Sequence, residues 1–134
     1  MLRYEILFGF ITAAMVAGNT LIAQQEKKVV VSESPIACSL TALSTAQRKR
    51  HGDLTGRLRA AVAELRELPD GYAFRLPADE TRIRETAEWM AMERLCCPFL
   101  AFNLEVGREG GPLWLHLTGR EGIKAFLLTE LKLK

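Results

Sequence analysis

The chain has 134 residues, with 18 Lys and Arg against 16 Asp and Glu, a formal charge of +2. That length sets a prior of one domain. So small an excess of positive charge excludes a nucleic-acid partner and a charge-driven membrane-surface role. The basic run from Arg48 to His51 is balanced by the acids of the segments that follow.

The first stretch stands apart from the rest. Arg3 precedes an apolar run from Ile6 to Ala23, interrupted only by Thr12, Asn19 and Thr20. This pattern predicts a secretory signal cleaved after Ala23, and hence an exported protein, periplasmic or secreted. An uncleaved anchor over residues 6–23 is the alternative, because a membrane-spanning helix needs about 20 apolar residues and tolerates somewhat fewer. The membrane would then be contacted through that segment alone. Residues 24–37 are polar at both ends and lack a helical period, which predicts a tether ahead of a single domain over 38–134.

Ser44 followed by Gln47 is a capping box, so a helix starts there. Leu54, Leu58, Ala61, Val62, Leu65 and Leu68 recur at helical spacing, His51 extends the stripe by a turn, and Pro69 with Gly71 ends it. Tyr72, Phe74 and Leu76 alternate with Ala73 and Arg75, as in a half-buried strand. A second helix follows, capped by Asp79, with Ile83, Ala87, Met90, Ala91 and Leu95 as its apolar face. Pro98 stops it.

Leu100, Phe102, Leu104 and Val106 alternate in one strand and Leu113, Leu115 and Leu117 in the next, predicting a hairpin. Pairing Val106 with Leu113 makes one face wholly apolar and sets Asn103 against His116 and Glu105 against Trp114 on the other. A closing helix buries Ile123, Phe126, Leu127 and Leu131. The predicted class is α+β in the order α-β-α-β-β-α, a small antiparallel sheet of about three strands with helices packed on one face.

The three cysteines carry whatever chemistry the sequence has. Cys96 and Cys97 fall at the C-terminal end of the second helix, where the partial negative charge of the dipole disfavours a thiolate. Adjacent cysteines also lack the C-x-x-C spacing of a redox couple. No catalytic residue is assigned, and an enzyme is the least favoured class. Two readings remain open. In one, Cys38 forms a disulfide with Cys96 or Cys97, closing a loop of about sixty residues worth roughly 4 kcal/mol, in a structural or interaction module. In the other, Cys38, Cys96 and Cys97 converge on a soft metal ion such as copper(I), mercury(II) or zinc, with His51 and Glu93 as candidate further ligands. The second is the leading expectation. Phe99, Trp114 and His116 mark a candidate binding surface on the solvent side of the sheet, for a protein partner or a second copy of the chain.

The segments "GYAFRLP", "AEWMAMERLCCPFLAFNLEV" and "LWLHLTGREGIKAFL" resemble a family of small uncharacterised bacterial proteins with an E-R-x-C-C-P-F-x-x-F-x-L segment and an L-T-G turn before the last helix. "CSLTALSTAQRKRH" extends the resemblance to Cys38 and His51. It implies no catalytic roles, and "TGREG" departs from the commoner T-G-P-x-G form at the entry to the last helix.

Overall fold

The computed structural model describes residues 32–132; the leader and residues 24–31 of the predicted tether lie outside them. The elements are α1 (Thr45–Ala61), β1 (Glu64–Leu68), β2 (Gly71–Leu76), α2 (Glu80–Cys96), β3 (Ala101–Val106), β4 (Leu113–Thr118) and α3 (Ile123–Glu130). The class is α+β with a four-stranded antiparallel sheet in the spatial order β1-β2-β4-β3. Among the described residues, no helix is long and apolar enough to cross a membrane.

The element order is therefore α-β-β-α-β-β-α, one strand more than the hydrophobic pattern suggests. The added strand comes from the end of the predicted first helix. Val62, Leu65 and Leu68 recur every three residues, which fits a helix and not the alternation of a strand, so periodicity misses the choice between the two here. Pro69 and Asp70 decide it by closing a hairpin in which Leu68 pairs with Gly71 and Glu64 with Arg75. The "PDG" signal is a hairpin turn between two strands, not a break between helix and strand. At Gly71 the backbone comes so close to β4 that an added methyl would stand 1.9 Å from the Leu117 carbonyl oxygen, so only glycine fits.

Local signals hold elsewhere. Ser44 accepts from the Gln47 backbone N–H while the Gln47 side chain accepts from the Ser44 N–H, and the Asp79 carboxylate accepts from the Arg82 N–H at 2.9 Å. The β3–β4 register pairs Phe102 with Leu117, Asn103 with His116, Leu104 with Leu115 and Glu105 with Trp114. β2 continues the same apolar face, setting Tyr72, Phe74 and Leu76 beside Leu117, Leu115 and Leu113. Helical residues Leu54, Leu58, Trp89, Met92, Ile123 and Leu127 share one core with that face.

The inward face of α2 differs from the predicted one. Ala87, Ala91 and Leu95 are exposed, Leu95 to 51%. The buried positions are Glu85, Thr86, Trp89, Met92, Glu93 and Cys96. Burying Trp89 removes far more apolar surface from water than burying two alanines does, and the glutamates that accompany it inward find partners on α1. The two helices run antiparallel along a polar seam of Arg50 with Glu88, His51 with Glu93 and Arg57 with Glu85.

The solvent side of the sheet is covered in part. Arg66 lies with its guanidinium carbon 4.2 Å from the Trp114 ring centroid, while Glu64 pairs with Arg66 and Arg75. Trp114 is 7% exposed, with the Arg66 guanidinium against its ring. Phe99 is buried too, edge-on to Phe126 at 5.0 Å. Of the three residues expected to form a binding surface, His116 alone keeps appreciable exposure, facing Glu105 at 3.8 Å.

Candidate functional site

The last turn of α2 delivers the cysteines. Cys96 ends the helix and Cys97 is its C-cap, the Cys97 N–H donating to the Glu93 carbonyl at 2.7 Å. The carbonyl of Cys96, an orphan acceptor of the helix terminus, takes the N–H of Ser39 at 2.8 Å. That bond docks the segment carrying Cys38 against the end of α2. A second tie comes from Arg120, whose side chain donates to the Ser34 carbonyl and pairs with Glu33. The last residues of the predicted tether are therefore held to the domain.

Cys38 and Cys97 are joined in a disulfide spanning 59 residues, with their Cα atoms 4.7 Å apart. Cys96 is the free thiol, fully buried, with its Sγ 3.8 Å from that of Cys97. It also faces Glu93: the thiol donates to the Glu93 carbonyl at 3.4 Å and lies 3.7 Å from Oε2. Burial, reinforced by the Glu93 carboxylate, pushes the Cys96 thiol up to about 11. Cys96 is thus protonated and unreactive at neutral pH, as its place at a helix C-terminus predicts.

Glu93 is held in turn by His51, whose Nε2–H donates to Oε2 at 2.5 Å. The imidazole stacks on Trp89, with ring centroids 6.0 Å apart and planes 16° from parallel. Trp89 Nε1 donates to Thr55 Oγ1, and that hydroxyl donates to the His51 carbonyl. A chain of contacts thus runs from the core to the thiol and fixes the carboxylate beside it. Sequence reasoning reached His51 and Glu93 but missed Trp89 and Thr55. Positions 86, 89, 93 and 96 recur at helical spacing, and the only tryptophan on α2 is among them; that was the available signal.

Four ligand atoms, one each from Cys38, Glu93, Cys96 and Cys97, lie within 4.8 Å of one another. They adjoin a cavity of about 480 Å³ whose wall includes Cys38, Cys96, His51 and Glu93, with Trp89 and Phe126 opposite in character. Cys97 does not line it. The structure thus brings all three cysteines together and adds the Glu93 carboxylate, with His51 one hydrogen bond further out. No family model, curated protein or solved structure matches this chain.

Proposed function

We propose that this is an exported domain that binds or sequesters a soft metal ion when its disulfide is reduced. Cys38, Cys96 and Cys97 supply the thiolates and Glu93 an oxygen donor or an outer partner. The observation that carries this reading is the convergence of three sulfurs and one carboxylate within 4.8 Å. A tetrahedral site with metal–sulfur bonds of about 2.3 Å has sulfur–sulfur edges of about 3.8 Å, and Cys96 and Cys97 stand 3.8 Å apart. A cation also relieves what keeps Cys96 protonated, because it replaces the proton beside Glu93 and suits the negative end of α2. Soft thiolate donors select copper(I), mercury(II) or zinc. His51 then holds the Glu93 carboxylate in place, as outer partners of metal ligands commonly do.

The test is an anaerobic titration of phosphine-reduced, metal-free protein with each ion, repeated on Cys38→Ser, Cys96→Ser and Cys97→Ser. Stoichiometric binding by the wild type, lost in Cys96→Ser and Cys97→Ser and weakened in Cys38→Ser, is the expected result. Binding no tighter than that of a cysteine-free chain would remove the reading.

The disulfide between Cys38 and Cys97 favours a second reading, a stapled structural or interaction module. Counting reactive thiols on protein from an oxidising compartment separates the two. A single thiol, reactive after unfolding alone and insensitive to metal, supports the staple. Export rests on the leader, and mass spectrometry of the mature product tests it, with a full-length, membrane-bound chain pointing to the anchor.

A further inference from the structure

The cavity beside the cysteines is larger than a metal ion requires. Its apolar wall comes from Ile36, Leu40, Trp89, Phe126 and Leu131, and its acids are Glu93 and Glu130. Leu40 is 52% exposed there, an apolar side chain left in contact with water at the cavity wall. The two sulfurs of the disulfide are not equivalent with respect to this space. Cys38 lines the cavity, whereas Cys97 is fully buried and does not.

Thiol–disulfide exchange depends on which sulfur an incoming thiolate can reach. We infer that the cavity admits a small neutral or cationic thiol with an apolar body, which opens the disulfide by attacking Cys38 and leaving Cys97 as the departing sulfur. In the first step the thiolate forms a bond to Cys38 Sγ while the Cys38–Cys97 bond breaks. The bonding electron pair leaves on Cys97, and the proton lost by the incoming thiol ends there. A second thiol then attacks the outer sulfur of the mixed disulfide, releasing the small-molecule disulfide and a free Cys38. Two thiols are oxidised and one protein disulfide is reduced. The preference for uncharged or positive thiols follows from Glu93 and Glu130, since a like charge in a cleft with apolar walls is poorly screened. The apolar wall favours a hydrophobic substituent over a hydrated one.

This inference rests on the disulfide and the cavity, not on metal binding. The metal titration uses phosphine-reduced protein, so either idea can fail while the other stands.

The experiment uses the oxidised full chain, wild type and Cys96→Ala, the latter preventing Cys96 from reshuffling the first product. Each is exposed to cysteamine, benzyl mercaptan and 2-mercaptoethanesulfonate, quenched with acid and mapped by peptide mass spectrometry. The expected first adduct is on Cys38, with the sulfonate at least tenfold slower than the other two after correction for thiolate fraction. Glu130→Lys, a change at an exposed residue on the cavity wall, raises the sulfonate rate severalfold more than it raises the benzyl mercaptan rate, because the sulfonate carries a charge beyond that of the attacking thiolate. Adducts formed first on Cys97 would overturn the inference. So would rates that follow thiolate fraction alone in both the wild type and Glu130→Lys.

Discussion

Glu85 and Glu93 lie two turns apart on the same buried face of α2, and their exposures, 7% and 8%, are nearly equal. Their surroundings are not. Glu85 receives Arg57 at 2.8 Å on one oxygen and Arg82 at 2.8 Å on the other, so its charge is fully matched by two guanidinium groups. Glu93 has one imidazole and a protonated thiol, and both sulfurs of the adjacent cysteine pair lie within reach of it. Burying a carboxylate is unfavourable unless it is paired. A carboxylate held by two arginines is satisfied and structural. One left with a histidine and a thiol can still gain by taking a cation, which is the physical basis for placing chemistry at the C-terminal half of α2 and stability at its N-terminal half.

The sharpest way to break that contrast is Glu85→Ala. It leaves Arg82, already carrying an unpartnered buried Nε, without its carboxylate. It should cost about 3 kcal/mol, at the lower end of the range for a broken buried pair because Arg57 can turn to solvent. Denaturant unfolding measures this, and metal affinity of the reduced protein should stay within twofold of wild type. A large loss of affinity without a loss of stability would reverse the assignment of the two ends.

A second test uses alkaline pH. Cys96 has its pKa raised from 9.0 to about 11, so the folded state holds this proton more tightly than the unfolded chain does. Its contribution is fully present below pH 9 and is lost as pH rises toward 11, amounting to about 2 kcal/mol by then. Comparing unfolding curves of oxidised wild type and Cys96→Ala isolates this component from other groups titrating in the same window. The wild-type decline between pH 9 and 11 should exceed that of the variant; parallel declines would mean that Cys96 is not held in this way.

Glu93→Gln sharpens the comparison from the other side. Removing the charge takes away one cause of the raised Cys96 pKa, so alkylation of Cys96 at pH 9 should quicken several-fold, burial remaining the larger cause. Metal affinity should fall roughly tenfold, in the range expected for an outer partner, and further if the carboxylate is itself a ligand. Isothermal titration and iodoacetamide kinetics read the two effects. The smallest effect is expected on the far side of the sheet. Arg66→Ala uncovers Trp114, costing about 0.5 kcal/mol and shifting tryptophan emission to longer wavelength, with no change at the thiols.

Much of this was legible in the sequence because it depends on neighbours along the chain. The Ser44 and Asp79 caps, the β3–β4 register and the placing of Cys96 and Cys97 at a helix end are local or follow from alternation over a single hairpin. β1 was not legible, since Val62, Leu65 and Leu68 recur every three residues as in a helix, and the choice of strand belongs to the partner strand β2. The inward face of α2 was not legible either: counting apolar residues favours Ala87, Ala91 and Leu95, while Trp89 and two glutamates go inward because α1 offers Thr55, Arg57 and His51 to receive them. The exposure of Phe99 and Trp114 was misjudged for the same reason. Their covers, Phe126 and Arg66, come from other elements.

The sequence by itself determined the α+β class, the helix caps and the chemistry of the donor set, because these follow from residue types and short spacings. Only the tertiary structure decided which sulfur bonds Cys38, which stays free, and that His51 reaches the Glu93 carboxylate. Those are distances between segments up to 59 residues apart. They are fixed by the antiparallel packing of α1 on α2 and by one backbone hydrogen bond from Ser39 to the helix end, neither of which leaves a local trace in the chain.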